Sequence, residues 1–365
     1  ISGLFVVRML APFLIGPIAG VVADRYNRKW ILITSDIVRG VTVLGFLFVT
    51  RPEHIWLLYT LTAVQLGVSG FFFPTRNAIL PDIVSEQELG AANALSSATW
   101  SVMLALGAAL GGLVAGVWGN QVAFIIDALT FLVSAVIIAQ VSYTTTVDPN
   151  LDKTVKAALR QYADGLRYVK KHSDILVISL HKGINALLVS SSFQVLQVTI
   201  AEQIFVIGEG GSISLGLMFA VAGVGTGVGP ILARRFTGDR DRPLRMAIGI
   251  GYLISFVGLL IVSPLLNFPL VLVGTILRGV GGGIVWVFST QLLLQLVPNT
   301  VRGRVFATEF MIFTLLSAAG AAAVGGAVDT GYTISTIVST MSVLTVIPAV
   351  LWGLWMRRKP AGSTP

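Results

Sequence analysis

Long apolar runs alternate with short polar gaps along the whole chain. The runs cover residues 3–23, 30–50, 55–74, 90–118, 121–141, 175–200, 212–233, 244–263, 268–297, 305–327 and 333–356. An α-helix rises about 1.5 Å per residue and a bilayer core is about 30 Å thick, so about 20 apolar residues make a spanning helix. The pattern therefore predicts eleven membrane helices. Between 142 and 173 lies the longest polar stretch, and it too has a helical period. Val155, Leu159, Tyr162, Leu166 and Val169 fall on one face, with Lys153, Lys156, Arg160, Arg167 and Lys170 on others. That is the pattern of an amphipathic helix lying at a membrane interface.

The gaps carry the charge, and they carry it unevenly. Taken in order, one side holds Arg25, Arg28, Lys29, Arg76, Arg234, Arg235, Arg240, Arg242, Arg245, Arg302, Arg304, Arg357, Arg358 and Lys359. Six more basic residues, from Lys153 to Lys171, fall on the same side, and the opposite gaps hold only Arg51. Basic residues collect on the cytoplasmic side of membrane proteins, which places the C-terminus inside. An odd number of helices then starts the chain outside. The reading adopted is a twelve-helix protein whose first helix precedes Ile1.

Composition sharpens this picture. Hydrophobic residues make up 55% of the chain and charged ones 12%, against roughly 25% in a soluble domain. Mean hydropathy is +0.85. The formal charge of +8 sits in the gaps rather than on one basic face, so nucleic acid is not the expected partner. There is no cysteine, and His54, His172 and His181 have no ligand spacing, so no metal or cofactor is expected. A phosphate loop is missing, which speaks against an enzyme. The run Gly223-Val-Gly225-Thr-Gly227-Val-Gly229 lies within an apolar segment with no strand before it, and reads as close helix packing.

The chain also repeats itself. Gly16-Pro17-Ile18 returns as Gly229-Pro230-Ile231, Gly107-Ala108-Ala109 as Gly320-Ala321-Ala322, and Gly112 as Gly325, all at one offset. Duplicated halves are a feature of secondary transporters.

The first gap, Gly20-Val-Val-Ala-Asp24-Arg25-Tyr26-Asn27-Arg28-Lys29, resembles the signature loop between helices 2 and 3 of the major facilitator superfamily, Gly-x-x-x-Asp-Arg-x-Gly-Arg-Arg/Lys. Gly20, Asp24, Arg25, Arg28 and Lys29 match. Asn27 replaces the second glycine and is expected to take the left-handed backbone in its place. Residues 73–82, 91–95, 124–131 and 302–307 resemble the bacterial drug:proton antiporter branch that contains macrolide and enterobactin exporters. The resemblance implies an all-α integral membrane protein of the major facilitator fold, with eleven of twelve helices in this chain and two pseudo-symmetric six-helix halves. The halves would be 1–141 and 174–356, with a cytoplasmic linker at 142–173 and a tail at 357–365. It implies that the Asp24 loop switches the protein between inward-open and outward-open states. Exporters of the superfamily often carry Gly-Pro-x-x-Gly-Gly in helix 5. Here Gly107, Gly111 and Gly112 keep the glycines without the proline, and helix packing is their expected role.

Charges at bilayer depth cost several kcal/mol and mark function or a partner. Asp36 and Arg39, three apart, share a helix face and are expected to neutralise each other. Asp127 has no local partner and is a proton-coupling candidate, or a partner for Arg8. Asp36, Arg39 and His181 complete the coupling candidates. Lys182 is placed to snorkel toward the cytoplasm, and Glu309 to pair with Arg302 and Arg304. Gln65, Asn185, Arg278 and Trp286 are substrate-cavity candidates, on helices that line the cavity in the family. The expected function is proton-coupled export of small amphipathic or hydrophobic molecules by a monomer in the bacterial inner membrane. Its partners are the small-molecule substrate, protons and membrane lipid. Uptake or exchange of a metabolite, or a transport-inactive sensor or scaffold, are the alternatives.

Overall fold

The structure, a computed structural model, describes residues 26–85, 89–142, 155–238 and 240–358, with scattered positions from 4 to 22. The described residues form helices and three short 3₁₀ turns. The helices are α1 (Arg28–Gly45), α2 (Ile55–Ile83), α3 (Leu89–Gln140), α4 (Val155–Lys171) and α5 (Ser173–Leu188). They continue as α6 (Ser191–Gln203), α7 (Ser212–Thr237), α8 (Asp241–Val262), α9 (Phe268–Leu296), α10 (Asn299–Asp329) and α11 (Ile334–Arg358). Nine stretches among the described residues are long and apolar enough to cross a membrane. The predicted runs 3–23 and 90–118 fall largely or partly outside the residues described in full.

Helix ends follow local chemistry. Asn267 caps α9 by accepting from Leu270 N at 2.9 Å, with a proline in the first turn, where its missing N–H costs nothing. Asn27 caps α1 by accepting from Lys29 N at 3.0 Å. Its φ of −60° is extended rather than left-handed, so the expected glycine-like turn is corrected. Its short amide satisfies the free N–H groups of a helix start, and that outweighs tolerance of positive φ. α3 is two helices that meet at a kink at Gly119, whose φ of 85° only glycine adopts without strain.

The predicted run 175–200 is interrupted. α5 ends and α6 begins around Val189–Ser190, where Asn185 O accepts from both Val189 N and Ser190 N. Ser192 Oγ donates to Leu187 O. Consecutive serines thus offer the backbone local partners that compete with the helix ladder.

The chain divides into two compact units. One takes in residues 1–6, 101–116 and 165–365. In it α9 is gripped from two sides by backbone-close contacts. A Cβ at Gly225 would stand 2.4 Å from Ile276 O, and one at Gly229 2.8 Å from Val280 O, so the α7 glycines pack as expected. On the other side a Cβ at Gly258 would stand 2.5 Å from Arg278 N, and one at Gly281 2.2 Å from Gly251 O. Buried apolar layers fill the space at either end. One holds Ile178, Tyr252, Phe288 and Trp352, the other Phe193, Leu259 and Val271. Val169 of α4 is fully buried in the first layer, but Leu166 of the same predicted stripe is exposed.

The second unit takes in 7–100 and 117–164. Here α1 lies against α2 and the later part of α3. A Cβ at Gly40 would meet Ala128 O and Phe131 Cβ at 3.4 Å, and Phe46 stacks on Phe124 with ring centroids 5.4 Å apart.

Backbone approach this close has no room for a side chain. Gly258→Leu is expected to destabilise the protein by about 1–3 kcal/mol or more through overpacking of α8 on α9. Gly353→Ala, where nothing lies within 4 Å, is expected to be neutral. Unfolding curves of the purified variants in detergent micelles check both.

Candidate functional site: buried charge in the membrane helices

Charge is concentrated at two places inside the spanning helices. In the first unit, Lys182 of α5 donates to Glu309 Oε2 of α10 at 3.0 Å, and the two residues are 7% and 2% exposed. The ammonium lies 4.8 Å from the ring centre of Trp286 on α9 and 5.7 Å from that of Phe306. Lys182, Glu309 and Trp286 each sit nine or ten residues from one end of their helices, roughly 14 Å along the axis at 1.5 Å per residue. Three helices thus meet at one depth. This corrects two expectations. Lys182 does not reach for the headgroups, and Glu309 pairs with it rather than with Arg302 and Arg304, whose side chains lie outside those described. A carboxylate already 3.0 Å away at the same depth makes the longer reach to water unnecessary. Among the described residues Glu309 Oε1 is buried without a partner.

His181 points to other helices. Tyr252 of α8 donates its hydroxyl to His181 O at 3.1 Å, and His181 Nδ1 lies 3.2 Å from that hydroxyl. With the Tyr252 proton spent on the carbonyl, Nδ1 is the donor of the second bond, and Nε2 is left without a partner. The edge of Trp352 on α11 packs on the ring at 4.5 Å, and Trp352 Nε1 donates to Arg245 O at 2.6 Å. The same histidine lines an apolar groove of about 480 Å³ with Leu180, Ile184, Leu344, Ile347 and Leu351.

Farther along the same helices, Arg278 Nη1 donates to the Val189 carbonyl at the α5–α6 interruption, 3.4 Å away. Its guanidinium lies 4.6 Å from the Phe193 ring centre. Asn185 stands across from Gly282, where a Cβ would lie 3.5 Å from its amide. Trp286 packs edge-on against Phe313 at 5.0 Å.

In the second unit the spacing of Asp36 and Arg39 does produce an ion pair, with Arg39 Nη2 donating to Asp36 Oδ1. Ser134 Oγ of α3 donates to Asp36 Oδ2 at 2.6 Å. The Arg39 guanidinium is sandwiched between Phe72 at 4.1 Å and Phe131 at 4.6 Å. Asp127 interacts electrostatically with this same arginine, one turn before Phe131 and two before Ser134 on α3. Gln65 of α2 carries a buried Oε1 with no partner.

A family model described as Major Facilitator Superfamily matches residues 1–321. The chain belongs to the major facilitator superfamily. It is a multi-pass membrane transporter, not an enzyme, and its relatives are bacterial. Among them is BacE of Bacillus subtilis (strain 168), named as a candidate bacilysin exporter, 30% identical over 175 residues. That match covers 48% of this chain and 43% of BacE, so the chain spans less than half the length of that curated relative. The transporter y4rN of Sinorhizobium fredii is 24% identical over 96% of this chain and 84% of its own length. Among solved structures, the nucleoside transporter NupG has a TM-score of 0.71 at 12% identity, covering 98% of this chain and 90% of its own. A POT family peptide transporter has a TM-score of 0.68 at 12% identity, covering 100% and 90%. These two likenesses establish the fold.

Within the superfamily's signature loop, Gly20, Asp24 and Arg25 lie outside the described residues. Lys29 is placed: its ammonium donates to Ala139 O at 2.7 Å and Val141 O at 2.8 Å, closing the free carbonyls at the end of α3. Arg28 is the first residue of α1. Of the helix 5 glycines, Gly112 packs as expected, since a Cβ there would stand 2.6 Å from Gly216 Cα. Gly107 and Gly111 have nothing within 4 Å among the described residues. The close face is set by the helical period. Gly116, four residues on, continues it against Ile213, and Gly111 points about 100° away.

The Lys182–Glu309 pair gives a direct test. Glu309→Gln leaves a buried lysine uncompensated and is expected to cost about 3–5 kcal/mol, while the double variant Lys182→Met, Glu309→Leu recovers most of the loss. A double-mutant cycle on unfolding midpoints in micelles measures the coupling.

Proposed function

We propose that this transporter is a proton-coupled exporter of small amphipathic or hydrophobic molecules. The observation that carries the coupling is the Asp36–Arg39–Asp127 arrangement. Asp36 pairs with the buried Arg39 guanidinium, and the exposed carboxylate of Asp127 acts on the same cation through space, so the three groups together hold one more negative charge than positive. Arg39 bonds directly to Asp36, which leaves Asp127 as the weakly held member. Protonating Asp127 makes the group neutral, and releasing the proton restores one negative charge inside the membrane. That change of charge is a state-dependent energy of the kind alternating access needs. Export as the direction is supported by the resemblance to the candidate bacilysin exporter and by the motifs shared with antiporters.

In this reading the halves 1–141 and 174–356 rock about a midplane site, with the linker and C-terminus in the cytoplasm of a bacterial inner-membrane protein. Asp24, with Gly20, Arg25, Arg28 and Lys29, latches one of the states. A carboxylate there favours the positive end of a facing helix. Lys29, already committed to the α3 carbonyls, anchors that loop.

Expressed in an efflux-deficient bacterial host, the transporter is expected to lower accumulation of an amphipathic dye or macrolide, and a protonophore to abolish the effect. Asp127→Asn is expected to reduce protonophore-sensitive efflux by about tenfold or more, the scale of a typical coupling energy, without loss of stability. Asp36→Asn, which strands Arg39, is expected to lower stability as well. Efflux that survives Asp127→Asn and still collapses with the protonophore overturns Asp127 as the coupling site. Accumulation driven inward overturns export.

A further inference from the structure

Two of the buried cations in the spanning helices have carboxylates. Arg39 has Asp36 and Lys182 has Glu309. Arg278 has none: among the described residues no carboxylate oxygen lies within 4 Å of it, although only 5% of the residue is exposed. Its recorded partners are neutral, the Val189 carbonyl and the Phe193 ring. Its Nε is buried and bonds to nothing. A full positive charge held this way is costly, since an isolated buried ion loses solvation that a carbonyl and a ring only partly replace.

The groups around it are unspent too. Thr275, one turn away on α9, is fully buried with no partner for Oγ1. Asn185 on α5 is 3% exposed, and its Oδ1 has no partner. The packing brings these groups to one place. Asn185 faces Gly282 while Val189, one turn later on α5, faces Arg278, one turn earlier on α9. The two antiparallel helices thus register Asn185 and Arg278 on adjoining turns, beside the point where α5 gives way to α6.

We propose that Arg278, Thr275 and Asn185 form a subsite for a carboxylate group of the transported molecule. The Nε edge of a guanidinium offers two parallel N–H groups that match the two oxygens of a carboxylate. The Thr275 hydroxyl donates to an oxygen, and a half-turn of the Asn185 amide presents its N–H₂ instead of Oδ1 without altering its shape. Gly282 has no side chain to come between its backbone and the Asn185 amide, which a Cβ there would meet at 3.5 Å. As a substrate subsite this rests on the transport reading above, whereas the binding of a carboxylate does not.

The test is thermal unfolding of the purified transporter in detergent micelles, with benzoate compared against its neutral counterpart benzamide at fixed chloride. Benzoate is expected to raise the unfolding temperature saturably and benzamide to leave it unchanged, because a ligand stabilises the state that binds it. Arg278→Gln is expected to abolish the benzoate shift and Arg278→Lys to retain it weakened. Thr275→Val is expected to raise the half-saturating benzoate concentration about tenfold or more, the loss of one hydrogen bond to a charged group. Should Arg278→Gln fail to fold, Thr275→Val and Asn185→Ala carry the comparison. Equal shifts with benzoate and benzamide, a benzoate shift that survives Arg278→Gln, or no shift in the wild type overturn the subsite. A shift saturated by chloride alone, which then blocks benzoate, makes it an inorganic anion site and overturns the substrate assignment. The efflux assay fails separately: benzoate binding without export leaves the subsite and sinks the exporter, and export without benzoate binding does the reverse.

Discussion

A charge carried into hydrocarbon must find its counter-charge inside the protein, because no water is there to replace it. That constraint organises this transporter more than any single apolar contact. Burial of leucine and valine is cheap everywhere in a bilayer and specifies little, whereas a lysine about 14 Å from a helix end has few acceptable neighbours. Lys182 fixes the approach of α5 to α10 through Glu309 and to α9 through Trp286. Arg39 fixes α1 against α2 and α3 through Phe72, Phe131 and the Asp36–Ser134 bond. Glycines then let the backbones close to the distances these pairs demand.

The one-dimensional features of the fold were legible in the sequence. Apolar length gave most of the spans, and the Gly-x-Gly run of α7 announced a packed face. The Asp36–Arg39 pair was legible because both residues belong to one turn of one helix. The missed features were those that depend on phase or on distant partners. Glu309 is 127 residues from Lys182, and nothing in the local sequence chooses it over the nearer arginines. Equal depth from the helix ends was the one usable signal. Gly112 and Gly111 are neighbours in sequence but about 100° apart around the helix, so only the structure separates the packed one from the open one. Ser134 was findable, lying two turns beyond Asp127 on the same side of α3. The interruption at Val189–Ser190 was foreshadowed by three serines in a row, although apolar residues on either side hid it in a hydropathy reading.

Asn27 teaches a related lesson about substitution. Reading asparagine as a surrogate for glycine assumed that the position needed a left-handed backbone. The structure uses the other property of asparagine, its side-chain acceptor, and begins α1 there. A residue can match a motif position by replacing its mechanism rather than imitating its conformation. Lys29, two residues on, likewise closes the carbonyls at the end of α3.

Each compact unit satisfies most of its own membrane charge. The first closes Lys182 on Glu309, and the second closes Arg39 on Asp36. A machine whose parts must move as bodies benefits from that division, since an ion pair inside a body is neither broken nor remade when the body turns. The groups left incompletely satisfied are then the ones available for state-dependent work. Asp127 leans on an arginine already committed elsewhere, Arg278 holds only a carbonyl and a ring, and Glu309 keeps one oxygen unbonded. Satisfied pairs hold each bundle together, and in the proposed mechanism the unsatisfied remainder is where a proton or a substrate would change the energy of one state relative to another.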